Sequence, residues 1–288
     1  MTRGVYAETA EEAGKLEARV RAALAVSPAG TVVTGVTTLA LAGIELPDLS
    51  KREAETRVHL LAPENVDWAA RRADVVVHRR AGHCPQLFHR ASGIRTASIS
   101  DSWVDAVRRL GCEHKWVPWD AGPSVARGLF DSPAKRVFLE AVQLGDVLDR
   151  RKHNWARVAQ LTACADVSTG PGSKLVRAAA KQLRHGTDSF METWLRLVLW
   201  DAGFPEPMVN HEIKLGGRRR MLDLSWPDRR IALEYQGRQH FADESQAFDD
   251  MVRRGQLQQA GWTIHEAAHK DLIDPLGLLS RLARSFGW

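Results

Sequence analysis

The chain is poor in cysteine and has no long apolar run. Cys84, Cys112 and Cys164 are its three cysteines, far apart and without C-x-x-C spacing. That argues against a disulfide framework and a structural zinc site, and fits a reducing compartment. No run reaches the ~18 apolar residues of a membrane span, and the most apolar stretch, Thr31 to Leu46, is cut by threonine and glycine. The start, MTRGVYAETAEEAGKL, lacks the apolar core of a signal peptide. These absences predict a cytoplasmic protein without a membrane partner. The glycine-rich STGPGSK at 168–174 is not a phosphate loop, because it lacks both the Gly-x4-Gly-Lys-Ser/Thr spacing and a preceding strand.

What is present fits an ordinary globular chain: 288 residues, 44% hydrophobic and 26% charged. The length suits two domains or one large one. The net charge of +5 is modest, and its location says more than its size. From Thr187 onward 13 Lys and Arg face 15 Asp and Glu, so the basic excess lies upstream. Most of it falls in 111–186, with 12 against 7, where a polyanion would be held.

Periodicity divides the chain into three regions of an α+β protein (α/β in the broad sense). Residues 1–110 read as helices followed by a β-ribbon, a winged-helix-like α+β region. Helical spacing covers 8–26, a second helix ends near Gly43 and Pro47, TRVHLLAP, ADVVVHRR and GIRTASIS are strand-like, and a helix spans about 101–110. Residues 111–186 form a helical basic connector. In it Lys174, Arg177, Lys181 and Arg184 repeat every three or four residues, along one helical face. Such a stripe is either a solvated face or a set of phosphate contacts that positions DNA without reading sequence. Residues 187–288 read as helix, three strands, helix, strand, helix.

Two strands of that last region, RRRMLDLSW and IALEY, each carry an acid among apolar residues: Asp223 and Glu234. A two-residue turn at Asp228-Arg229, or a four-residue turn at 227–230, places these acids opposite each other. Carboxylates at that spacing repel and lose hydration. A divalent cation with oxygen ligands would relieve both penalties, and magnesium suits such a site. The plainer alternatives leave one acid facing solvent, or pair it with an arginine from 218–220.

The segment from about Ser189 to Leu272 resembles the PD-(D/E)xK nuclease superfamily, in the branch related to very-short-patch repair endonucleases. The resemblance rests on Ser189-x-x-Glu192, AGFPEP at 202–207, LDLSWPD at 222–228, LEYQGRQH at 233–240, Asp250-x-x-Arg253, Leu257, Gly261-Trp262 and Asp271-Leu272. It implies a restriction-endonuclease-like mixed sheet flanked by helices. It also implies a Mg2+-dependent endonuclease, with Mn2+ as a substitute, acting on nucleic acid and in the first place on DNA. Asp223 and Glu234 match the metal-binding acids, and the Tyr235 carbonyl would be a further ligand. Gln236 stands where many members carry a water-orienting lysine, and relatives in this branch more often have aspartate; glutamine cannot act as a general base. His240 matches the histidine after this motif, which would deprotonate water or touch the scissile phosphate; a structural role is the other reading. Glu192 would join the metal shell, or close a capping box with Ser189, or both. Arg253 would contact the DNA backbone, or pair with Asp250 one helical turn away.

Upstream, GVTTLALAGIELP and GIRTASISDSWVDAVRRLG loosely resemble AbiE-type antitoxin regulators, which favours DNA binding there. A rival expectation follows from Gln236 and the upstream basic excess: a DNA-binding regulator or antitoxin with a degenerate nuclease domain. A toxin that cuts cellular RNA or DNA is a third. The sequence specifies no oligomeric state.

Overall fold

The computed structural model describes residues 15–64, 66–68, 72–79, 86–89, 93–118, 132–236 and 244–288, leaving aside the side chains of 86–89 and 244–250. The protein is mixed α/β, with two mixed sheets. It divides into two compact units that are not contiguous in sequence. The first takes residues 1–116, 140–149 and 153–183; the second takes 117–139, 150–152 and 184–288. The 111–186 segment is thus shared between them.

The first unit begins with α1 (Leu16–Leu24), β1 (Val32–Val33), α2 (Gly35–Leu41) and α3 (Asp48–Thr56). The strands β2 (Val58–Leu61), β3 (Val75–His78), β4 (Gln86–His89) and β5 (Ile94–Ala97) follow, then α4 (Ile99–Glu113). The strand order is β3-β2-β1-β5-β4. β1–β2 and β4–β5 are antiparallel, whereas β1–β5 and β2–β3 are parallel. The winged-helix expectation is corrected here. β1, only two residues long, bonds on both sides and makes the strands a five-stranded mixed sheet instead of a ribbon. Val20, Ala23, Val33, Val58, Leu60 and Ile94 form the core against that sheet. The two valines of β1 suit a pleated surface, and β2, Val58–Leu61, is buried along its whole length.

Ser98 caps α4 by accepting from the Asp101 amide at 3.1 Å. Trp103 on α4 is fully buried and donates to the Ala141 carbonyl at 3.2 Å. Ala141 lies on α5 (Pro133–Asp146), whose residues from 140 onward belong to this unit. α6 (Val158–Asp166) and α7 (Ser173–Ala180) complete it.

The second unit contains α8 (Phe190–Asp201), β6 (Met208–Leu215), β7 (Arg218–Trp226), β8 (Ile231–Tyr235) and α9 (Glu244–Gln259). It ends with β9 (Thr263–Ala267), α10 (His269–Ile273) and α11 (Leu276–Phe286). Apart from the short α10, this is the order expected from periodicity. The sheet runs β6-β7-β8-β9, antiparallel except for the parallel β8–β9 pair. Leu257 of α9 packs with Leu215, Leu222 and Ala232. Burying a leucine such as Leu222 or Leu257 contributes roughly 2 kcal/mol. Trp226, Phe204, Phe286 and Trp288 make a second, aromatic cluster, and the Trp226 indole donates to the Pro205 carbonyl at 2.8 Å. Lys135 and Asp201 form a buried ion pair at 2.6 Å.

Candidate active site

The loop between β7 and β8 is the four-residue form, 227–230. Pro227–Arg229 make a short 3-10 turn, and Arg230 takes a left-handed φ of 52°. The observed pairs are Leu224–Leu233, Ser225–Ala232 and Trp226–Ile231. That is the register expected from the sequence. Asp223 and Glu234 occupy the next position along it, where the ladder ends. There Asp223 turns its carboxylate across the strands and accepts the Tyr235 amide at 2.9 Å. The Tyr235 contact to Asp223 is therefore made by its N–H.

Glu234 is buried, at 4% exposure. Its partner is not an arginine from 218–220 but Arg253 of α9. Nη1 of Arg253 donates to Oε2 at 3.0 Å, and Nη2 pairs with Oε1. Nη2 also donates to the Met221 carbonyl at 2.7 Å. Arg253 is thus tied to the sheet through Glu234 and Met221, and the side chain of Asp250, its other expected partner, lies outside the described residues. Burial raises the Glu234 pKa above the usual carboxylate range, the charges of Asp223 and Glu266 add to the rise, and Arg253 opposes it.

Glu266 is a site residue that the sequence reading passed over. It is the register partner of Glu234 across the parallel β8–β9 pair. It pairs with Arg254 and accepts from the Gln236 amide nitrogen at 3.4 Å. The signal was available: an acid in the short strand TIHEA, two residues after Ile264, as acids also stand in the strands of Asp223 and Glu234. Gln236 is fixed at the strand end by its own N–H, which donates to the Ala267 carbonyl at 2.8 Å.

Glu192 is the third residue of α8 and lies in a dense hydrogen-bond set. Its N–H donates to Ser189 Oγ at 3.2 Å, and Ser189 Oγ donates to Oε1 at 2.9 Å. The Asp188 amide donates to Oε2 at 2.9 Å. The Ser189 half of the expected capping box is thus present, whereas Glu192 takes the amide of Asp188 instead of that of Ser189. Asn210 adds a donor to Oε2 at 2.7 Å while also bonding the Gly186 carbonyl. Asn210, at φ 46°, breaks the β6–β7 ladder at the position facing Asp223. Burial raises the Glu192 pKa, and the charge of Asp223 contributes to the rise, so Glu192 senses the same acid as Glu234 does. His240 lies outside the described residues. Among those described, no group of three or more His, Cys, Asp and Glu side chains is gathered to hold a metal ion.

The basic stripe is not continuous. α7 ends at Ala180, and the chain tightens through Gln182 N–H to Ala179 O at 2.8 Å and Leu183 N–H to Ala180 O at 3.3 Å. Lys174 and Lys181 are exposed. Arg177 donates to the Ser168 carbonyl at 2.6 Å. Arg184 lies in the second unit and pairs with Glu206 at 2.9 Å. The four-cation helical face is corrected accordingly: the turn after Ala180 takes Arg184 off it.

No family model matches the chain, and no solved structure matches it. Two uncharacterized proteins of Mycobacterium tuberculosis, from strains CDC 1551 and H37Rv, are each 36% identical to it over 99 residues. The match covers 34% of this chain and 36% of theirs, so the chain spans about a third of the length of the curated relatives it matches.

Proposed function

We propose that the protein hydrolyses phosphodiesters of nucleic acid, in the first place DNA, with a restriction-endonuclease-like second unit of the PD-(D/E)xK kind. One observation carries this reading: the β7–β8 register brings Asp223 and Glu234 to the same position of adjacent strands, with Gln236 two residues beyond. Carboxylate oxygens are the donors magnesium or manganese takes, so the donor chemistry fits. Asp223 and Glu234 would hold the ion, with Glu192 beside Asp223 and the Tyr235 carbonyl as a further donor. When bound, it would activate water and offset charge on the phosphoryl group.

The chain's own residues do the rest. Arg253 neutralises Glu234 and must release it before a cation can take its place. Gln236 orients water through its side-chain amide and does not take a proton. His240 is the proposed proton acceptor. Glu192, held by Ser189, Asp188 and Asn210, adds negative charge near Asp223.

Labelled DNA and RNA should be incubated with the full chain and Mg2+, Mn2+ or EDTA. We expect metal-dependent cleavage, lost in Asp223→Asn. Cleavage that survives EDTA or the substitution would rule out this ligand set. The Arg253–Glu234 pair favours a second reading, a DNA-binding regulator whose nuclease site is closed by its own arginine. That reading predicts salt-sensitive DNA binding without metal, unchanged in Glu234→Gln, and no cleavage by either protein.

A further inference from the structure

A second polar cluster lies within the first unit and plays no part in the nuclease reading. Glu53 on α3, His59 on β2 and His78 on β3 form a hydrogen-bonded row. Glu53 Oε1 is 3.1 Å from His59 Nε2, and His59 Nδ1 is 3.0 Å from His78 Nε2. His59 is fully buried. Gly35, at φ 59°, leaves it room, because a Cβ there would lie 2.6 Å from His59 Nδ1.

The ends of the row set its polarity. Burial opposes ionisation of Glu53, but the His59 hydrogen bond, the charge His59 gains in acid, and Arg57 and Arg109 outweigh it and bring the carboxyl down to about 2. An ionised carboxylate only accepts, so His59 Nε2 carries a proton and its Nδ1 accepts from His78 Nε2–H. Burial keeps both imidazoles below their ordinary pKa, hence neutral at pH 7. With its one N–H turned inward, His78 keeps an Nδ1 that has no hydrogen-bond partner among the described residues. The other charged groups that act on His78 are Asp105, Arg108 and Arg109, all on α4. Asp105 accepts from Thr34 Oγ1 at 2.7 Å.

His78 also lines an open cavity of about 520 Å³ with Trp68, Arg79, Arg108 and Arg109. No acidic side chain lines it among the described residues. Arg109 leans on Glu53 and Glu113, and Arg79 pairs with Asp67. Arg108 donates Nε to the neutral Pro171 carbonyl at 3.1 Å, and among the described residues no acidic side chain forms an ion pair with it.

We propose that this cavity binds a phosphate group that keeps a proton, with Arg108 on its oxygens and His78 accepting the P–OH hydrogen bond. The arginines select an oxyanion. His78 Nδ1 selects one that can donate. Inorganic phosphate carries a hydroxyl at neutral pH and sulfate does not. A phosphate monoester carries one only near or below its second pKa of about 6. Trp68 offers an aromatic face on which a nucleobase could stack.

Titration calorimetry of the full chain at constant ionic strength tests this. At pH 7.5 we expect inorganic phosphate to bind about tenfold or more tightly than sulfate. Arg108→Gln should weaken both by about tenfold. His78→Gln, whose amide can donate, should bring the two affinities together. Circular dichroism checks that each variant folds; should His78→Gln fail to fold, the wild-type preference and Arg108→Gln still decide. Equal binding of the two ions, no phosphate binding, or unchanged binding by Arg108→Gln would overturn the proposal. Adenosine monophosphate at pH 6 identifies the source of the group. Tighter binding than phosphate assigns the site to a nucleotide, weaker binding to the free ion, and either supports it.

Discussion

Arg253 holds Glu234 with both terminal nitrogens of its guanidinium and ties the same group to the Met221 carbonyl. Two acids at matched positions of neighbouring strands need a counter-charge, and Glu266 on β9 adds a third acid to the row. Arg253 and Arg254, adjacent on α9, supply one cation to Glu234 and one to Glu266. Both Glu234 and Glu266 therefore have an arginine partner, and any metal at Glu234 would compete with Arg253.

Removing that arginine strands a buried carboxylate. Arg253→Met should destabilise the protein by about 3 kcal/mol at pH 7.5, since breaking a buried pair leaves one charge uncompensated. The Glu234 pKa is already raised in the fold. A folded state that holds its proton more tightly loses stability as pH rises through that window. Loss of Arg253 raises that pKa further, so the penalty should shrink at pH 5, where Glu234 is more often protonated. Urea unfolding at the two pH values measures this, and an equal loss at both would show that the ion pair is not its source.

Gln236 lies at the end of β8 within 3.4 Å of Glu266. A lysine there would meet an acid already in place and could polarise water as glutamine cannot. On the nuclease reading, Gln236→Lys should raise the cleavage rate by about a hundredfold, the low end of what a positioned acid–base group contributes. A slower variant with unchanged substrate binding would show that the amide itself is needed.

The hairpin was legible because an even-length loop between Asp223 and Glu234 leaves their pairing unchanged, and the observed 227–230 loop is even. Ser189 was legible as a cap because Ser-x-x-Glu is a local pattern. The Arg253–Glu234 pair was not, since it joins a helix to a strand across 19 positions and no periodicity encodes it. β1 was missed because two residues cannot show an alternation. The Arg184 misplacement has a physical cause. Gly145 leaves space for the Leu183 side chain, and a Cβ there would lie 2.3 Å from Leu183 Cδ2, so the chain turns to bury Leu183 and leaves the helical path.

Acid should weaken the first unit in two stages. His59 and His78 are held neutral by burial, so the unfolded chain binds protons there first, and stability falls as pH drops below the ordinary histidine value of 6.5. Glu53 is depressed from 4.5 to about 2, so its contribution, present above 4.5, is lost between those values. Circular dichroism melts from pH 7 to pH 3 should show both stages in the wild type. The His78 window runs on to about 3 and overlaps that of Glu53, so Glu53→Gln should leave a shallower fall below 4.5, and an unchanged fall would place its origin elsewhere.

Gly172 combines a left-handed φ of 80° with a very close approach of backbone to backbone. A Cβ there would lie 2.2 Å from the Arg108 carbonyl oxygen, a contact that no side-chain rotation relieves. Gly43 has a similar φ, 71°, but a Cβ there would meet nothing within 4 Å. The pair separates the two costs. Gly43→Ala should lose about 1 kcal/mol, the cost of holding alanine in the left-handed region. Gly172→Ala should lose that and about 2 kcal/mol more, because the backbone of α4 at Arg108 must shift. Pro171 lines the phosphate cavity, and its carbonyl accepts from Arg108, so the same shift should weaken phosphate binding in Gly172→Ala and leave it intact in Gly43→Ala. Equal melting temperatures for the two variants would mean that the close approach at Gly172 carries no energetic weight.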